Sequence, residues 1–190
     1  MQKEKTSILA NKNLPNCITT IRIIGTAALL FMAPLSPEFL IVYAVSGLTD
    51  AIDGTIARKM GTISDFGSKL DSIADMMLYL VMLIKIFPVL WVILPHIIWL
   101  FVGAILIVRL CAYLVAAKKY HKFAAQHTYM NKVTGLVVFL IPFAIATKMA
   151  VTYCWSVCVI AMAASLEELL IHATSKEYNP KRKSLINKAA

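Results

Sequence analysis

Charge is scarce in this sequence. Asp, Glu, Lys and Arg make up 15% of its 190 residues, against about a quarter in an ordinary soluble domain. Acids are the scarcer kind, 10 against 19 Lys and Arg. Cysteine is scarce too: Cys17, Cys111, Cys154 and Cys158 all lie in or beside apolar runs. Cys154 and Cys158 are four apart on a predicted helix and could share a metal, but no His or further Cys joins them. They read as small buried hydrophobes. His96, His121, His127 and His172 are scattered and form no ligand set. There is no internal repeat, and no aromatic-basic module of the kind that binds nucleic acid, so the net charge of +9 needs another explanation.

Hydrophobic residues are abundant, at 59%. A helix crossing a bilayer needs roughly 20 mostly apolar residues, and several runs meet that need. The sequence reads as an all-α integral membrane protein with six transmembrane helices. They fall near Cys17–Met32, from Phe39 to the "ARKMG" break, Phe66–Phe87, Pro95–Ala117, Val133–Ala150 and Tyr153–His172. Pro88 and Pro95 mark the turn between the third and fourth, and the boundary between the fifth and sixth is the weakest. A polar, basic juxtamembrane segment covers residues 1–14. No small-residue cleavage site follows the first apolar run, which reads as a retained helix. The membrane domain spans 1–175 and a basic tail 176–190. With the N-terminus inside, the inner side receives Lys3, Lys5, Lys12, Arg58, Lys59, Lys69, Lys118, Lys119, Lys122, Lys132 and the basic tail; the outer side receives Lys85 and Lys148. That asymmetry puts both termini in the cytoplasm and accounts for the net charge.

All five aspartates, Asp50, Asp53, Asp65, Asp71 and Asp75, fall in one stretch, "LTDAIDGTIARKMGTISDFGSKLDSIAD". On a helix, Asp53 lies about 60° from Asp50, Gly54 about 40° and Ala57 about 20°, with Arg58 near the edge of the same face. On the next helix Gly67, Asp71 and Asp75 are spaced by four, again on one side. A short connector makes the two helices antiparallel neighbours, so their acidic faces can meet. One buried Asp costs about 2.5–3.5 kcal/mol at a membrane-helix centre, and mutual repulsion adds to that. Two divalent cations would relieve it, and oxygen donors without Cys or His suit Mg²⁺, Mn²⁺ or Ca²⁺ rather than zinc. The small residues Gly54, Ala57 and Gly67 fit close helix packing; together with the acids and Arg58 they also fit a bound phosphate chain. Asp65 stands where the third helix should begin and reads as its N-cap.

The order Asp50, two residues, Asp53-Gly54, two residues, Ala57-Arg58, eight residues, Gly67, three residues, Asp71, three residues, Asp75 resembles the signature of the CDP-alcohol phosphatidyltransferase family. The six-span pattern and the length are similar as well. The resemblance implies displacement of CMP from a CDP-linked lipid, usually CDP-diacylglycerol, by the hydroxyl of an alcohol, two divalent metals, Mg²⁺ or Mn²⁺, and a homodimer in the cell membrane with its active site facing the cytoplasm. It implies that Asp50, Asp53, Asp71 and Asp75 hold the metals and that Asp75 is the general base. It also implies that Asp50, Asp53, Gly54, Ala57, Arg58, Gly67 and Asp71 line the CDP-lipid site.

Arg109 late in span four, Lys132 opening span five and Arg22 one turn into span one are candidates for a basic acceptor pocket, Arg being suited to bidentate phosphate contact. For Arg22 and Lys132, snorkelling to the inner interface is the competing account. Phosphatidylglycerophosphate synthases of the family carry an Arg and a Lys at similar places, and "NLPNCITTIR" is similar to their opening, which favours sn-glycerol 3-phosphate. Those synthases commonly have Leu-Asp-Pro and a Lys after the final Asp, where this chain has "LDSIADMM", with Ser72 and Met76. Leu-Asp-Ser resembles the serine-accepting branch, without its usual Phe-Gly. Inositol phosphate or inositol ranks second as acceptor and serine third. The rival from another class is a divalent-cation transporter. It is disfavoured because the acids gather near one membrane face rather than at the midplane.

Overall fold

The computed structural model describes residues 17–60, 65–120 and 128–175, together with 178, 182, 184 and 185; the side chains of 50–60, 65, 66 and 68 lie outside the description. All regular structure among the described residues is helical: α1 Cys17–Leu29, α2 Pro37–Met60, α3 Asp65–Ile93, α4 His96–Tyr120, α5 Tyr129–Phe139, α6 Ile141–Ala146 and α7 Ala150–Thr174. Four segments are long and apolar enough to cross a membrane: Lys69–Ile93, His96–Tyr120, Tyr129–Ala146 and Ala150–Thr174. Cys17–Leu29 and the apolar part of α2, Pro37–Thr49, are shorter. Large apolar side chains stand exposed along the helices, including Ile21, Tyr79, Val92 and Leu100. An apolar surface this extensive suits lipid rather than water.

The chain divides into two compact units, Met1–Val92 and Ile93–Ala190. In the first, Ser36 caps α2: its Oγ accepts from the Phe39 N–H at 3.2 Å, with Pro37 at the first position and Glu38 in the first turn. Gly25 of α1 faces α2, where an added Cβ would make ordinary contact with Ser46 Oγ at 3.5 Å and Val42 Cγ1 at 3.7 Å. Along α3, Asp71 and Asp75 pair with Arg22 of α1. Further on, Lys85 Nζ donates to the Met32 carbonyl at 3.0 Å. Both contacts advance together along the two segments, so α1 and α3 run parallel and α2 runs back between them in sequence.

α1 is polar on its inner face and apolar outside. Thr19, Arg22, Thr26 and Leu29, spaced by three and four, are buried, whereas Ile21 and Ile24 are exposed. A helix in lipid has reason to hide its polar groups this way.

α3 corrects the expected break at Pro88. The helix runs through that proline to Ile93, and the chain turns at Leu94–Pro95. Pro88 removes one backbone donor, a loss that a membrane helix of 29 residues tolerates.

α7 is the hub of the second unit. Ala150, Cys154, Val157, Cys158, Ala164, Ser165, Glu168, Ile171 and His172 are its buried residues, a stripe at helical spacing. Phe101 meets Trp155 edge-on, ring centres 5.0 Å apart, and Lys119 Nζ donates to the carbonyls of His172 at 3.1 Å and Ala173 at 2.8 Å. α4 and α7 are therefore parallel. Asn131 bonds Glu168 near one end of α5, and Tyr153 Oη donates to the Val137 carbonyl at the other. α5 is therefore antiparallel to α7. Leu140 separates α5 from α6, and Pro142 stands in the first turn of α6. The boundary expected to be weak is a defined turn. Lys148 has φ 61°, its N–H bonds to the Ile145 carbonyl, and the Met149 N–H bonds to that of Ala144. This is the paired closure that usually takes glycine at the left-handed position.

Candidate active site

α2 and α3 carry the eight signature residues. The backbone of α2 is helical through Met60, so Asp50, Asp53, Gly54, Ala57 and Arg58 keep the helical spacing read from the sequence. Their side chains, and that of Asp65, lie outside the described residues. Gly67, Asp71 and Asp75 follow at intervals of four along α3.

Asp71 and Asp75 converge on one cation. Arg22 Nη2 donates to Asp71 Oδ1, and Arg22 Nη1 stands 3.7 Å from Asp75 Oδ1. The guanidinium is fully buried, whereas the two carboxyl side chains are 41% and 42% exposed. The sequence offered Arg22 for an acceptor pocket or for snorkelling; the structure buries it against the α3 aspartates. Two carboxylates one helical turn apart can therefore share a single cation while each keeps an exposed side. Among the described residues no group of three His, Cys, Asp or Glu could hold a metal ion. The α3 pair supplies two hard oxygen donors, and the two further acids of the signature are on α2.

Asp75 also borders an open, largely apolar face of α3 formed by Ser72, Met76, Tyr79, Leu80 and Leu83.

The second unit holds the other candidate cations. Arg109 Nη2 donates to Asn131 Oδ1 at 2.5 Å and lies 3.6 Å from Glu168 Oε2. Asn131 Nδ2 donates to the same Glu168 oxygen at 3.0 Å. Glu168 is 1% exposed, and its Oε1 is 3.9 Å from His172 Nε2. Thr128 caps α5 by accepting from the Asn131 N–H at 3.1 Å. Lys132, the next residue, is exposed on the first turns of α5. Arg109 and Lys132 are thus brought to the same end of α5. Sequence reasoning passed over Asn131 and Glu168. Their signal was present: Glu167 and Glu168 are the acids of an otherwise apolar final span, and an ionisable residue in such a span is a functional candidate by default.

The family model for CDP-alcohol phosphatidyltransferase matches residues 12–167. A CDP-diacylglycerol–glycerol-3-phosphate 3-phosphatidyltransferase of Wigglesworthia glossinidia brevipalpis is 32% identical over 94 residues, 45% of this chain and 52% of that protein. One of the same name from Pseudomonas fluorescens is 35% identical over 91 residues, 44% of this chain and 47% of that protein. A CDP-diacylglycerol–serine O-phosphatidyltransferase of Methanocaldococcus jannaschii is 50% identical over 44 residues, 23% of this chain and 21% of that protein. The chain thus spans about half the length of the first two relatives and a fifth of the third. No solved structure matches it.

Proposed function

This chain belongs to the CDP-alcohol phosphatidyltransferase family, and from that premise we propose that it moves a phosphatidyl group from CDP-diacylglycerol to sn-glycerol 3-phosphate. The observation that carries the reading is the convergence of Asp71 and Asp75, both part-exposed, on one buried guanidinium. It makes this face of α3 a place where carboxylates share positive charge. Six membrane spans with the site on the cytoplasmic side complete the proposal.

Asp50, Asp53, Asp71 and Asp75 would hold two divalent cations, Mg²⁺ or Mn²⁺, whose chemistry when bound is to neutralise the diphosphate and the departing CMP. The chain's own residues do the rest. The acceptor oxygen forms a bond to the lipid-side phosphorus as the bond from that phosphorus to CMP breaks. Asp75 takes the acceptor's hydroxyl proton. Arg22 holds the two α3 carboxylates in place. Gly54, Ala57, Arg58 and Gly67 line the cytidine diphosphate, and the apolar face of α3 beside Asp75 meets lipid. Arg109 and Lys132 bind the acceptor's phosphate, which favours a phosphorylated alcohol. Two relatives named for glycerol 3-phosphate support that choice. Serine, ranked third as acceptor, draws support from Leu70-Asp71-Ser72 and from the Methanocaldococcus relative.

The test is to incubate membranes containing the protein with labelled CDP-diacylglycerol, Mg²⁺ or Mn²⁺, and a panel of glycerol 3-phosphate, inositol phosphate, inositol and serine. The proposal expects CMP release and phosphatidylglycerophosphate. A different phospholipid would replace the acceptor and keep the reaction. No CMP release with any alcohol, together with ion uptake into proteoliposomes without any CDP-lipid substrate, would favour a cation carrier.

A further inference from the structure

We infer that Glu168 is a positioning residue for Arg109, fixing its guanidinium so that one edge faces the acceptor's phosphate. The inference rests on the reading of Arg109 as an acceptor residue. The buried carboxylate of Glu168 stands behind the cation, 3.6 Å from Nη2. It also fixes Asn131, whose amide donates to Glu168 Oε2 at 3.0 Å and whose carbonyl accepts from Arg109 Nη2. Asn131 is held in turn by the Thr128 cap, and Thr128 is fully buried.

Both of these contacts use Nη2. Among the described residues Nη1 has no protein partner, and the Arg109 side chain is 31% exposed. Nη1 carries two N–H donors held in the plane of the guanidinium, which suit phosphate oxygens. An unheld arginine must lose rotamer freedom to present those donors. Glu168 and Asn131 make the loss in advance, during folding.

The charge balance gives the inference a distinctive sign. Glu168 offsets the charge of Arg109, so the net positive charge that attracts a phosphate comes from Lys132. If Glu168 acted only through charge, neutralising it would tighten acceptor binding. If it acts by holding Arg109, neutralising it weakens binding. If it only supports the fold, both substrates suffer alike.

The measurement is the KM for a phosphorylated acceptor and for CDP-diacylglycerol, on the full chain in lipid nanodiscs. Glu168→Gln is expected to raise the acceptor KM about tenfold and to leave that of CDP-diacylglycerol within about twofold. Glu168→Asp, which keeps the carboxylate, should recover part of the loss. An acceptor KM that is unchanged or lower, or an equal rise for both substrates, overturns the inference. Should Glu168→Gln fail to fold with Arg109 left unpaired, the double variant Arg109→Gln/Glu168→Gln removes both charges. Its acceptor KM is expected to equal that of Arg109→Gln alone, and a further rise overturns the inference. If Arg109→Gln itself leaves the acceptor KM unchanged, the proposed acceptor role falls and this inference with it. If Arg109→Gln raises it while Glu168→Gln is silent, only the inference falls.

Discussion

Each unit pairs a buried charge with a part-exposed one, and the signs are reversed. In the first, a fully buried Arg22 supports two carboxylates that are about two-fifths exposed. In the second, a fully buried Glu168 supports Arg109, which is about one-third exposed. In both, a fully buried member supports one that keeps an exposed side. The difference lies in what each support leaves available. Arg22 sits on the very carboxylates expected to hold metal, whereas Glu168 sits behind the cation expected to hold phosphate. Loss of the first support should therefore disturb the reaction centre, and loss of the second should disturb one substrate.

The largest effect is expected from the exposed acids of the first unit. Asp71→Asn should lower the rate of CMP release on the order of a thousandfold by weakening the proposed metal site. Substantial turnover at ordinary Mg²⁺ would break the comparison at its stronger end. Arg22→Met should come next. The carboxylates it leaves behind are part-exposed, so the stability loss should fall below that of breaking a fully buried ion pair; a lower Tm in detergent together with a raised Mg²⁺ requirement would separate support of the carboxylates from general fold support. Arg109→Ala, measured on both substrates, should raise the KM for a phosphorylated acceptor roughly tenfold or more while sparing CDP-diacylglycerol. Equal effects would remove Arg109 from the acceptor site. The smallest effect is expected at Gly103, where an added Cβ meets nothing within 4 Å. Gly103→Ala should leave activity intact and change stability by about 1 kcal/mol at most, in the favourable direction.

Periodic features were legible in the sequence. Apolar runs gave the helices, and intervals of three and four put Asp71 and Asp75 on one side of α3, where both reach Arg22. The Arg22–Asp71 pair itself was not legible, because 49 positions separate its members and only the packing of α1 along α3 joins them. Pro88 was read as a stop because proline usually ends a helix in water. α3 continues because its neighbouring backbone bonds are kept where lipid offers no alternative. The turn before α7 was obscure because Lys148, rather than glycine, takes the left-handed position. Glu168 went unread because an apolar run surrounds it, although a buried acid there needed a partner. The α2 half of the signature rests on helical spacing alone.

The most direct test is a Mn²⁺ titration followed by electron paramagnetic resonance, on the full chain in nanodiscs with CDP-diacylglycerol present. The account expects about two Mn²⁺ per chain in the unaltered protein and a clear loss in Asp71→Asn and Asp75→Asn. Mn²⁺ binding that is absent from the unaltered protein, or undiminished in both variants, would contradict it.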